Sequence, residues 1–288
     1  MILITPKELK ESLSPQHLIM EKVHLSLLHD IKLLATTPRE RHVIMACSKD
    51  SGAWLDTLPN MWNNAVMSTT EWRVAAWFRL GLPIYSSSVV CPCCKESPND
   101  IYGIHATYCA NNNDLKARHD HVRDTIAAIA REAQFSVEVE SRHLLAGGGV
   151  RAEENWKPAD IFIRNWEMGK GLCLDVSIAN SLEYTHENRD FDPLEALWAR
   201  ENAKYAKYSQ MCSERGLLFE PFVTGSLGGF TEVGTAIVKK IGRAWSNVQG
   251  VSSGVGTATI RKRILYAVQV AQATSWIRRG VLSDNMRY

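Results

Sequence analysis

The chain has no apolar run of the roughly 18 residues that a bilayer crossing needs. Its opening stretch, MILITPKELKESLS, lacks the apolar segment and small-residue cleavage site of a secretory leader. An intracellular setting without membrane association, nuclear or otherwise, is therefore expected, and thiols stay reduced there. Net charge is also scarce: 33 Lys and Arg against 31 Asp and Glu leave +2. Whole-chain charge thus gives no reason to expect a polyanionic partner, and any such case rests on local patches. There is no internal repeat and no low-complexity tract. The seven cysteines are an odd count for a disulfide framework. What remains is 288 residues, 45% hydrophobic, long enough for one or two domains with at least one full core.

Four of the cysteines, Cys91, Cys93, Cys94 and Cys109, fall within nineteen residues, together with His105. Cys91 and Cys94 form a C-x2-C; after a ten-residue gap, His105 and Cys109 form an H-x3-C. Two short turns then offer four soft ligands, the set that suits tetrahedral zinc in a closed structural site. Cys93 is an alternative to Cys94. Reduced cysteines around a core histidine are the plainer reading.

Around this cluster the periodicity alternates between helix and strand. Leu18, Val23, Leu27, Ile31 and Leu34 recur at helical spacing, and TTEWRVAAWFRLGLP (69–83) reads as a helix opened by a Thr cap and closed by Gly81 and Pro83. From Asp114, the expected cap, Leu115, Val122, Ile126 and Ile129 mark another helix. FSVEVES (135–141) alternates as a strand, and a hairpin follows over 157–180. After it come a helix over about 193–212, a strand with a Gly-rich turn over 216–230, and helices over about 231–248 and 257–280. This order predicts an α/β layer arrangement.

The hairpin, KPADIFIRNWEMGKGLCLDVSIAN, carries Asp160 and Asp175 with fourteen residues between them. With the turn centred between Glu167 and Met168, facing residues have numbers that sum to 335. Ile161, Ile163, Leu172, Leu174 and Val176 then share one face and both aspartates lie on the other. Opposed like charges destabilise a sheet unless a cation lies between them, and carboxylates favour Mg²⁺ or Mn²⁺. A shifted register, with Asp160 at a strand start and Asp175 solvated on an edge, is the alternative. Glu138 and Glu140 on the neighbouring strand offer a third carboxylate. Leu197, Glu201, Lys204 and Tyr208 share one face of the following helix, so Lys204 either pairs with Glu201 or points at something anionic.

KPADI, the gap, LDVS, an upstream glutamate and a downstream lysine together resemble the PD-(D/E)xK nuclease superfamily. More narrowly, CPCC…HATYC, ARHDH (117–121), KPADI, LDVS, ENAKYAKY (201–208) and GLLFEPFVTGSLGGF are similar in order to a known arrangement. It is the CCHC knuckle and restriction-like endonuclease at the C-terminal end of site-specific non-LTR retrotransposon proteins. SGAWLDTLP and RLGLP upstream add to the likeness, which spans about residues 50–280.

The resemblance implies a helical region over 1–88, a zinc knuckle over 89–112, a restriction-endonuclease-like core of mixed sheet flanked by helices over 113–230, and C-terminal helices over 231–288. It implies a metal-dependent DNA endonuclease with structural zinc and catalytic magnesium or manganese. Asp160 and Asp175 match the metal-binding acids and Glu140, ahead of Glu138, the upstream acid. Lys204 matches a lysine displaced onto the helix, with Lys207 the alternative. DNA, or the RNA of a retroelement, is the implied partner, held by Arg118, His119, Arg123 and Lys157. Trp156 is the one tryptophan considered for a base or sugar contact. The clusters VKKIGR (238–243), RKR (261–263) and RR (278–279) either add to the grip or form solvated helix faces. Two departures stand out. Ser177 occupies the commoner lysine position, and the chain has no aromatic-x-Asp-Asp turn of a reverse transcriptase. A catalytically silent, zinc-containing nucleic-acid-binding module on the same fold is the alternative.

Overall fold

The structure is a computed structural model that describes residues 14–47, 50–57, 66–96, 98–111, 113–141, 159–182 and 194–283. Its centre is a four-stranded mixed sheet of β3 (Val137–Val139), β4 (Ile161–Glu167), β5 (Lys170–Ala179) and β6 (Leu218–Gly225), in the order β3-β4-β5-β6. The first three strands are antiparallel; β5 and β6 are parallel. A parallel pair needs a crossover, and α5 (Glu195–Glu214) lies on the chain between them.

The two faces of the sheet are covered by different helices. Ile161, Ile163, Leu172, Leu174 and Val176 belong to the main core with Val122, Ile126 and Ile129 of α4 (Asp114–Glu132). The same core takes Ile237 and Ile241 of α6 (Glu232–Gln249) and Ile260 and Ile264 of α7 (Ser253–Arg279). On the opposite face Phe162, Cys173 and Phe219 pack with Tyr208, Met211 and Cys212 of α5. This division follows from side-chain alternation, which sends odd and even positions of a strand to opposite faces.

The hairpin register agrees with the sum of 335 for Ile161 with Leu174, Phe162 with Cys173 and Ile163 with Leu172. The turn lies one residue later than expected. Glu167 pairs with Lys170 around Met168 and Gly169, and the register shifts between Ile163 and Glu167. Met168 and Gly169 have φ of 49° and 76°, the left-handed pair that a tight two-residue hairpin turn demands. The two extra residues are absorbed on the β4 side, between Ile163 and Glu167, where Asn165 has φ 51°.

Two expected caps move. The helix α3 (Thr69–Arg79) is opened by Ser68, not a threonine: Ser68 Oγ accepts from the Glu71 N–H at 3.2 Å while Glu71 accepts from the Ser68 N–H at 2.7 Å. Asp114 is the first residue of α4 rather than its cap, and its carboxylate accepts instead from Arg279 of α7 at 3.0 Å. Among the described residues the first two helices are α1 (Pro15–Leu34) and α2 (Pro38–Ala46). On α1 the expected apolar positions Leu27, Ile31 and Leu34 are exposed.

Between α3 and α4 lie the short strands β1 (Val89–Val90) and β2 (Pro98–Asn99) and a 3₁₀ turn at His105–Thr107. The far end of α7 is fastened to this segment. Trp276 Nε1 donates to the Gly103 carbonyl at 2.9 Å, and the Tyr85 hydroxyl donates to the Trp276 carbonyl at 2.9 Å. No helix among the described residues is long and apolar enough to cross a membrane.

Candidate metal centre and acidic site

One potential metal-ligand atom of each of Cys91, Cys94, His105 and Cys109 comes together, all within 4.8 Å of one another. Cys91 Sγ lies 3.8 Å from Cys109 Sγ, and Cys94 Sγ lies 3.4 Å from His105 Nε2. In a zinc tetrahedron with metal–sulfur bonds of about 2.3 Å, ligand atoms are about 3.5–3.8 Å apart, so the four side chains are spaced for an ion at their centre. Cys94, not Cys93, completes the group.

The turns are held by the backbone. Asp100 Oδ1 accepts from the N–H groups of Tyr102 and Ile104 at 3.0 and 3.2 Å, and Oδ2 accepts from His105 N at 3.0 Å. Cys91, His105 and Cys109 are buried, as a closed structural site requires.

The second cluster forms where β4 begins beside β5. The Asp160 N–H donates to the Leu174 carbonyl at 3.0 Å, which sets Asp160 against the β5 segment containing Asp175. Asp160 Oδ2 accepts from the Val176 N–H at 2.7 Å, replacing a strand partner where β4 starts. His119 of α4 places Nε2 3.1 Å from the same Oδ2 and Nδ1 3.2 Å from Asp120 Oδ1. Both ring nitrogens then face carboxylates, which only a doubly protonated ring satisfies as donors. The hydrogen bond to Asp160 accordingly raises the His119 pKa above its ordinary value, against the opposing effect of burial.

Asp175 shares the face of Cys173, so it points at α5, where Lys204 Nζ lies 2.7 Å from its Oδ2. Asp175 is 5% exposed. Burial pushes its carboxyl above the usual range, Lys204 pulls it back, and the charge of Asp160 adds to the rise. Asp160 and Asp175 are thus two acids whose negative charges oppose each other, one of them buried.

No family model and no curated protein matches the sequence.

The structure brings Asp160, Asp175, Lys204 and His119 together. Lys204 pairs with Asp175, not with Glu201, and Lys207 lies over the Tyr208 ring at 4.8 Å. Glu140 is next to the cluster, its N–H donating to the Asp160 carbonyl at 2.9 Å, but its Oε1 accepts from Arg123 at 2.5 Å. Glu138 points elsewhere, to Arg164 and Ser141. The cysteine–histidine group is the only set of three or more convergent metal-ligating side chains among the described residues.

The residues expected to hold DNA are differently placed. Arg118 is buried and donates to Gln272, and Arg123 is buried among Asp120, Asp124 and Glu140. A guanidinium run on a helix reads as a surface, and here two of its members are interior. Lys157 and Trp156 lie outside the described residues. In the other basic runs, Arg263 pairs with Glu132 at 2.6 Å and Arg279, 1% exposed, pairs with Asp114; neither forms a solvated face. The contact of His119 with Asp160 was not anticipated, because the sequence does not show which strand a helix face meets.

Proposed function

We propose that the chain is a metal-dependent DNA endonuclease, whose reacting groups are Asp160, Asp175 and Lys204 at the junction of β4, β5 and α5. The observation that carries this is the meeting of Lys204 with a buried aspartate beside a second aspartate, on the opposite side of the strands from the aliphatic core. A lone surface ion pair needs no second acid, and a structural pair gains little from being buried.

Asp160 and Asp175 would hold the magnesium or manganese ion, which when bound polarises a phosphoryl oxygen and lowers the pKa of water. Lys204, 24% exposed at its side chain, would offset the charge that builds on phosphate oxygens. His119 would be a positioning residue: its hydrogen bond and that of the Val176 N–H fix the Asp160 carboxylate on two sides. Zinc on Cys91, Cys94, His105 and Cys109 would be structural.

A second reading, a silent nucleic-acid-binding module, is favoured by two observations. Arg123 holds the Glu140 carboxylate, and Ser177 stands at the commoner lysine position. Plasmid nicking with magnesium, manganese or chelator, on the wild type and on Asp175→Ala, separates the two. Metal-dependent nicking lost in the variant is expected. Equal cleavage by both proteins refutes the site, and DNA binding without cleavage by either selects the silent module.

A further inference from the structure

A cavity of about 350 Å³ opens between the 3₁₀ turn of the cysteine cluster, α4, the end of β5 and α5. Its apolar wall is Ile104, Leu115, Ile178 and Leu182; its polar lining includes Tyr108, Asn180, Arg118 and Arg200. Arg118 is 6% exposed. Among the described residues its guanidinium makes one hydrogen bond, from Nη1 to the neutral Oε1 of Gln272, and no ion pair; its buried Nε has no hydrogen-bond partner. The nearby carboxylate, Asp114, is already engaged by Ser275, Arg278 and Arg279. Arg200 likewise has no acidic partner among the described residues, although it lines the same space.

A buried guanidinium without an anion is costly, and two arginines converging on one cavity call for an anion with several oxygens. Burial and the charge of Arg279 already push Arg118 down to about 10. A bare anion does not account for the remaining surface. The four aliphatic side chains and the Tyr108 ring, whose residue is half exposed, are suited to a flat apolar body. The volume is that of a small ligand rather than of a duplex.

We propose that this cavity binds one nucleotide unit, with its phosphate on Arg118 and Arg200 and its base against Tyr108 and the aliphatic wall. Arg200 precedes Lys204 by one helical turn, and Ile178 and Asn180 follow Asp175 on the same strand and its exit. The cavity therefore adjoins the acidic site and would seat a nucleotide next to the reacting phosphate. That placement rests on the nuclease reading; the binding does not.

Calorimetric titration of the full chain in magnesium-free buffer tests it, with thymidine 5′-monophosphate, thymidine and inorganic phosphate as probes. One molecule of the monophosphate is expected per chain, at least tenfold tighter than either fragment. Arg200→Glu and Tyr108→Ala, both at exposed positions, are each expected to weaken it at least tenfold, and Arg118→Met to abolish it. If Arg118→Met fails to fold, the two surface variants decide alone. Equal affinity for monophosphate and inorganic phosphate, or binding unmoved by Arg200→Glu, overturns the proposal. Titrating Asp175→Asn as well keeps the two ideas apart, since this variant is expected to bind the monophosphate normally whatever it does to nicking.

Discussion

Replacing Lys204 with methionine keeps most of the stem and removes the charge 2.7 Å from Asp175 Oδ2. Removing one partner of a fully buried pair costs about 3–5 kcal/mol, because the other charge is stranded. Here the Asp175 side chain is 6% exposed but that of Lys204 is 24% exposed. Water that enters the vacated space recovers part of the loss, and about 2–3 kcal/mol remains by the same reasoning. In a domain of this size 1 kcal/mol moves the melting midpoint by about 2–4 °C, so Lys204→Met is expected to melt roughly 5–10 °C lower. Asp175→Asn has the opposite character. It removes a carboxylate that burial already disfavours and leaves a lysine able to reach solvent, so its cost is expected to stay below about 1 kcal/mol. Adding Asp175→Asn to Lys204→Met is expected to restore most of the lost stability. Thermal melts followed by circular dichroism at neutral pH in magnesium-free buffer, run on all four proteins, measure the cycle. A double variant as unstable as Lys204→Met, or an Asp175→Asn loss as large as that of Lys204→Met, would refute the reasoning.

Acidification tests His42, which is buried, sits 2.6 Å from the Phe78 carbonyl and has its pKa pushed by burial from 6.5 to about 4. Its depressed value means the unfolded chain binds the proton first. Stability is therefore full above about pH 6.5 and falls as pH drops toward 4, by about 3 kcal/mol in all. Denaturant midpoints taken across that range are expected to flatten in His42→Gln, and an unchanged slope counts against the assignment. Elemental analysis of purified protein is expected to give about one zinc per chain. Cys94→Ser is expected to lower that ratio sharply and Cys93→Ser to leave it alone; the reverse pattern would exchange the two ligands. At Gly228 (φ 94°), an added Cβ would lie 3.0 Å from the Ser51 carbonyl oxygen. Gly228→Ala is thus expected to cost at least about 1–2 kcal/mol in chemical denaturation.

Legibility differed from element to element according to how local the determining forces are. The aliphatic face of the hairpin was readable because strand alternation is strict, and the register of Ile161–Ile163 followed from it. The bulge near Asn165 was not, because two extra residues on β4 leave the hydrophobic pattern of β5 unchanged. The cysteine–histidine group was visible as spacing, since its ligands come from two adjacent turns. Lys204 was visible as a helix-face position, and its partner became clear only once α5 lay across β5. Asp114 shows the limit most directly. It reads as a cap by local rule, but Arg279, 165 residues away, takes its carboxylate.

The fastening of Trp276 to Gly103 joins residues 173 positions apart. During synthesis at roughly 5–20 residues per second, the ligand-bearing turns leave the ribosome about 10–30 s before the helix end that covers them. Throughout that interval Cys91, Cys94, His105 and Cys109 stand uncovered by Trp276 and Arg279. Metal capture at these four ligands would thus precede docking of α7, and without the metal that helix would meet an unfinished surface.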